Sequence, residues 1–199
     1  MKKNISKEQI IETALELMKN KNDLRGLNMR EIARTLGCAH TNIYNYFPAY
    51  SDLLWETHAV LHEGFMEMLT KRLEAANNAE MRLDYFFSAF VDTYMDNKGW
   101  FRLAWHEHIE GERPQRDIDV LDATNKVLTG HISDICKEFP MESPDADTVK
   151  RVLHNTHCYI VGEISNYLLG RGLTQNEQEL RAYITREAIN MFRSCLASL

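Results

Sequence analysis

Apolar residues recur at three- and four-residue intervals along almost the whole chain, and no stretch alternates apolar with polar positions through β-branched residues. That pattern restricts the chain to helices, because a 3.6-residue repeat gathers side chains on one face of a helix and scatters them over both faces of a strand. Breakers are scarce, 4 prolines and 9 glycines in 199 residues, and most of them fall where one apolar run stops and the next begins. Those at such ends are Gly26, Gly37, Pro48, Gly99, Gly111 with Pro114, Pro140 with Pro144, and Gly170 with Gly172. The expected fold is therefore all-α with about nine helices. Ser6 with Gln9 reads as a capping box for the first, Asn28 with Glu31 repeats it, and Ser51 can cap the fourth. After the first helix the spacing predicts helices over 29–36, 39–46, 51–75, 79–97, 100–110, 117–138, 146–170 and 175–197.

Composition narrows the setting. No run approaches the ~18 uninterrupted apolar residues of a membrane helix, so no membrane partner and a cytoplasmic location are expected. Cys38, Cys136, Cys158 and Cys195 form no C-x-x-C pair and read as reduced thiols buried as small hydrophobes. The net charge of −6 is unevenly spread. Residues 1–50 carry eight Lys/Arg against five Asp/Glu, and the remainder fifteen against twenty-four. A basic head on an acidic body suits a molecule that meets a polyanion with one end.

The head holds the most informative stretch, EIARTLGCAHTNIYNYF over residues 31–47. Ile32 and Leu36 face a core, Ala33 lets a second helix cross close by, and Gly37 permits a turn. Ile43 and Phe47, four apart with Tyr44 beside them, anchor the helix that follows. His40, Thr41, Asn42, Asn45 and Tyr46 remain around the rest of its surface. That surface is polar and uncharged, with short donors and acceptors suited to base edges and phosphate oxygens. Helix, glycine turn and short helix is the helix-turn-helix pattern.

The runs IIETALELM and LNMREIARTLGCAHTNIYNYFPAYSDLL, within a span of about 45 residues from Ile10 to Leu54, resemble the DNA-binding head of the tetracycline-repressor (TetR) family in order and spacing. The resemblance implies a DNA-binding domain over 1–50 and a helical ligand-binding and dimerisation domain over 51–199. It makes 39–46 the recognition helix, with Thr41, Asn42 and Asn45 facing bases and Tyr44 and Tyr46 facing the backbone, and His40 on the same surface. Two positions depart from the family pattern. Ala39 stands where Ser or Thr usually caps that helix, and Tyr50 stands where a Lys commonly meets phosphate. The phosphate grip is then expected to draw on Lys2, Lys3, Arg30 and hydroxyls.

In the body, Leu180, Ile184, Ala188, Met191 and Cys195 form one stripe of the last helix, and Val149, Val152, Leu153, Ile160, Ile164 and Tyr167 form another on the helix before it. Gly162 allows close approach. From these we expect a dimeric four-helix bundle in which Ile160, Ile164, Tyr167, Ile184, Ala188 and Met191 meet a second copy. Aromatic residues cluster at 85–94 and 100–105, and a cavity walled by helices 5 to 8 is expected, with Trp105, His157 and Glu163 touching a small-molecule effector. His58 with His62 and His154 with His157 have spacings that could hold a metal, but no H-E-x-x-H, Glu-x-x-His, G-x-S-x-G or phosphate loop occurs. The reading is a dimeric, ligand-responsive transcription regulator, a repressor on a palindromic operator and nucleoid-associated, with no catalytic role, metal or cofactor. The alternatives are a regulator answering to a protein partner without a pocket, and a small helical metalloenzyme.

Overall fold

The computed structural model describes residues 5–19, 26–139 and 144–197, so Lys2, Lys3 and Pro140 lie outside the described residues. Among those described there are nine helices and no strand: α1 (Lys7–Lys19), α2 (Met29–Leu36), α3 (His40–Ile43), α4 (Tyr50–Glu74), α5 (Ala79–Asp96), α6 (Lys98–Trp105), α7 (Gln115–Cys136), α8 (Ala146–Leu168) and α9 (Glu177–Ala197).

The caps explain most of these limits. Ser6 and Gln9 exchange hydrogen bonds of 3.0 and 3.2 Å ahead of α1, and the Asn28 carboxamide oxygen accepts from the Arg30 and Glu31 amides at 3.0 and 3.1 Å ahead of α2. Asp145 caps α8 by accepting from the Thr148 amide at 2.9 Å. Ser51 does not cap α4. The helix starts one residue earlier, at Tyr50, and Asp52 accepts from the Ala49 amide at 2.8 Å, placing a carboxylate at the positive end of the helix dipole. The sixth helix ends at Trp105 rather than near 110, and the released segment sends Ile109 into the apolar interior shared with α1 to α4.

The described residues fall into two compact units, one within Met1–Gly64 and Asp96–Leu121, the other within Phe65–Met95 and Asp122–Leu199. The three unit boundaries fall within helices: inside α4, at the last residue of α5, and inside α7. The first unit has an interior of Ile10, Ala14, Met18, Ile32, Ile43, Phe47 and Leu53, joined by Leu103 and Ile109. The Trp100 indole donates to the Leu15 carbonyl at 2.9 Å, holding α6 against α1. The second unit is filled by Phe86, Phe87 and Phe90 of α5 with Ile160 and Ile164 of α8 and Ile184, Ala188 and Phe192 of α9. Each Phe or Ile side chain among them contributes about 1.5–3 kcal/mol when fully removed from water. Among the described residues no helix is long and apolar enough to cross a membrane. The cysteines are free, but only Cys136 is buried, and Cys158 is exposed on α8, contrary to the expectation of four buried thiols.

Candidate nucleic-acid interface

The candidate surface is built from α2, the turn at Gly37, and α3. Gly37 has φ +68°, a left-handed conformation that a side chain disfavours, and from there its amide and that of Cys38 turn back to the Arg34 and Ala33 carbonyls at 3.2 and 3.0 Å. The turn delivers α3 at close range to Ala33, which is buried. Ile43 and Phe47, both essentially inaccessible, pin α3 into the unit's interior. Ala39 supplies no side-chain cap, and α3 proper spans only His40–Ile43 before the Tyr46 and Phe47 amides both close on the Ile43 carbonyl at 2.9 and 3.0 Å. The expected helix over 39–46 is therefore one regular turn followed by a tighter one.

His40, Thr41, Tyr44 and Asn45 are exposed and Asn42 is half-buried. Tyr44 keeps 47% of its surface and its ring sits edge-on to that of His40, 6.3 Å between centroids. Arg30 is exposed on α2, and so is Arg34 one turn later, a residue the motif reading passed over although its spacing from Arg30 is visible in the sequence. The surface can thus offer amide, hydroxyl and imidazole groups from one short helix with two guanidinium groups on the neighbouring helix. Tyr46 differs from its expected role. Its ring is 39% exposed, yet its hydroxyl donates to the Ile5 carbonyl at 2.5 Å. A phenol has one hydrogen to donate, and here it is committed inside the protein. Tyr50 is half-buried against the unit's interior, and burial, then the Glu107 and Glu31 carboxylates, push its hydroxyl well above the usual phenol range. It stays neutral, beside negative charge.

A cleft of about 190 Å³ lies beside this surface, lined in part by Lys7, Tyr46, Phe47, Trp55, Glu56 and Arg116. Ions span it: Glu56 takes Lys7 at 3.2 Å and Arg116 at 2.8 Å, and Arg116 reaches Glu63 at 3.1 Å. Deeper in, Asp117, 1% exposed, is 2.6 Å from His58 Nδ1 and accepts from Arg113 Nε at 2.5 Å. His58 is thus bound to a carboxylate within its own unit. Among the described residues no group of three or more His, Cys, Asp or Glu is placed to hold a metal ion.

The expected effector contacts fall in different units. Trp105 ends α6 in the first, 41% exposed, while His157 and Glu163 lie on α8 in the second, each half-buried. Burial, then the neighbouring His154, depress His157 to about 4, so it is neutral near pH 7. Its Nε2 shares a hydrogen bond with the Tyr94 hydroxyl at 2.9 Å, and its ring packs on Phe90 at 5.0 Å. The expected dimer contacts need correction. Ile160, Ile164, Ile184 and Ala188 have 0% exposure in a single chain, because α8 and α9 turn those stripes into their own unit. Of the six residues, only Tyr167 and Met191 keep surface that a second copy could cover.

Solved structures share this architecture. A transcriptional regulator FadR from Bacillus subtilis, in complex with stearoyl-CoA, superimposes with a TM-score of 0.71 at 18% identity, covering 94% of this chain and 97% of its own. A TetR variant from Acinetobacter baumannii AYE in complex with minocycline gives 0.62 at 14% identity, covering 96% of each chain. PfmR, a TetR family transcriptional regulator from Thermus thermophilus, gives 0.59 at 20% identity over 88% of this chain and 94% of that one. No protein-family model matches the chain, and no curated protein does. At these identities the likeness is one of fold: the resemblance read from residues 10–54 extends, as an all-helical architecture of the TetR type, over nearly the whole chain. The Bacillus and Thermus proteins are transcriptional regulators.

Proposed function

We propose that this protein is a ligand-responsive transcription regulator of the TetR type, a repressor that binds a palindromic operator as a dimer and leaves it when a small-molecule effector binds the body. Residues 1–50 are its DNA-binding part and 51–199 its ligand-binding and dimerisation part. It acts in the cytoplasm, on the nucleoid. One observation carries the reading: a short helix anchored by Ile43 and Phe47 turns an uncharged, hydrogen-bonding surface of His40, Thr41, Tyr44 and Asn45 to solvent, directly after a left-handed glycine turn. A helix needed only for packing has no use for that face.

In this reading Asn45 and Thr41 contact base edges, Asn42 joins them from its half-buried position, and Tyr44, His40 and Arg30 meet the backbone. The dimer forms through the outer faces of α8 and α9, where Gly162 leaves open space for a second helix and Tyr167 and Met191 lie at the margins. The stearoyl-CoA and minocycline held by the relatives support a small-molecule effector, with His157 and Glu163 of the second unit on its polar side. The test begins with the DNA fragments that the purified protein retains. Asn42→Ala and Asn45→Ala should fold normally and lose about 1–3 kcal/mol of discrimination per bidentate contact while keeping non-specific binding. Variants that still prefer the selected duplex over scrambled DNA as the wild type does would show that this face is only solvated.

A further inference from the structure

We infer that His154 and Cys158 form half of a zinc site, which the same two residues of a second copy complete at the dimer seam. The inference rests on the dimer reading above and adds to it an ion that ties the two copies together.

The two residues are four apart on α8, so both side chains leave the helix on one face. Cys158 Sγ stands 3.6 Å from His154 Nε2, and both residues are exposed. That separation suits zinc. With bonds of about 2.3 Å to sulfur and about 2.05 Å to nitrogen, an ion bound to two atoms 3.6 Å apart sees them at an angle of about 110°, which is tetrahedral. A thiol and an imidazole in such contact hold one proton between them, and the ion takes its place. Cys158 then binds as a thiolate after releasing that proton, and His154 binds through Nε2 as the neutral ring. The spacing of His154 with His157 is equally suited to a metal, but His157 turns inward and shares a hydrogen bond with Tyr94 at 2.9 Å. The residue that meets His154 is the cysteine one turn on.

A single chain supplies two ligands, and among the described residues no third His, Cys, Asp or Glu joins them. Structural zinc sites almost always carry four. The place of the pair on α8 shows where the others come from. His154, Cys158, Gly162 and Asn166 follow at four-residue steps, and all are exposed in the single chain. Gly162 has open space where a side chain would stand, so a second helix can come close one turn from Cys158. In a two-fold dimer each copy presents the same patch to the other, which brings a second cysteine and a second histidine to the seam. Two thiolates and two neutral imidazoles complete a tetrahedron and cancel the charge of the dication.

The experiment titrates Zn2+ into the full chain, with thiols kept reduced, against a chromophoric chelator, while light scattering follows the mass with zinc and with EDTA. Wild type should take up one ion per two chains and hold a larger fraction of dimer with zinc than with EDTA. Co2+ in place of zinc should show the intense d–d bands of tetrahedral geometry and a thiolate-to-cobalt charge-transfer band. Cys158→Ser and His154→Gln each remove two of the four ligands. Losing a group that merely orients a ligand costs about 10–100-fold in affinity, so each of these changes should cost at least about 100-fold, and Cys158→Ser should abolish the charge-transfer band. Cys38→Ser, in the other unit, should change none of these readings. Wild-type zinc affinity in either variant overturns the pair, and uptake of one ion per chain overturns the shared site. Circular dichroism checks that each variant folds. Should one unfold, the wild-type cobalt spectrum still decides, because a spectrum without the thiolate band refutes the site. A chain that dimerises in EDTA yet takes up no zinc refutes the inference and leaves the dimer reading standing. A chain that stays monomeric with and without zinc defeats the dimer reading itself.

Discussion

The unit that carries α1 to α3 closes around aliphatic side chains and fastens its rim with ions, with Glu56 between Lys7 and Arg116 and Asp117 between His58 and Arg113. The unit built from α5, α8 and α9 is instead packed with rings: Phe86 on Phe87 at 5.3 Å, Phe87 on Phe192 at 5.4 Å, Phe65 on Phe90 at 4.7 Å. The difference follows from what each unit must leave outside. The first unit is built from shorter helices at its start, and it supplements its aliphatic interior with caps and with ions at its rim. The body has long helices and can spend their apolar faces on itself. Ring packing tolerates few substitutions but carries little address, whereas paired charges and capped turns fix directions.

The contrast can be broken most severely in the body. Phe87→Ala, a fully buried ring between two others, should cost about 3–5 kcal/mol, read from denaturant midpoints. A loss below 1 kcal/mol would mean that the aromatic cluster is not what stabilises this unit. In the head the comparable wound is electrostatic. Asp117→Ala leaves His58 and Arg113 without their shared carboxylate and should cost about 3 kcal/mol in the same measurement.

Acid should act on the body through His157. Its folded value near 4 lies below the ordinary 6.5, so the unfolded chain takes up the proton first. Stability is complete above pH 6.5 and falls at about 1.4 kcal/mol per pH unit down to about 4, a loss near 2 kcal/mol by pH 5. Replacing His157 by Gln should remove that part of the pH dependence, and an unchanged profile would show the ring to be open to solvent. The smallest expected effect is a gain in the head. Ala39→Ser would give α3 the missing cap and raise stability by about 0.5–2 kcal/mol, with thermal melting as the measure.

Helix identity was legible because its determinants are local. Asn28 with Glu31 and Gly37 bracket α2 at its observed limits, 29–36, and the other helices differ from their expected spans by a few residues at their ends. The turn at Gly37 and the anchoring pair Ile43 and Phe47 were readable for the same reason, since each depends on neighbours within about four residues. The dimer stripes misled. Ile160, Ile164, Ile184 and Ala188 do lie on apolar faces, but an apolar stripe states only that something covers it. In this chain the cover is internal.

Sequence by itself thus determined the all-helical class, the limits of most helices and the uncharged surface of the short third one, because hydrogen bonds and apolar periodicity within a turn or two decide those. Tertiary structure alone decided that Tyr46 spends its hydroxyl on Ile5, that His58 meets Asp117 and that Tyr94 meets His157, partners 41, 59 and 63 residues apart. Such pairs form only after helices have packed. A side chain able to bond to solvent, to DNA or to a distant carbonyl carries the same letter in all three cases, and only the packing that places an acceptor within 3 Å selects among them.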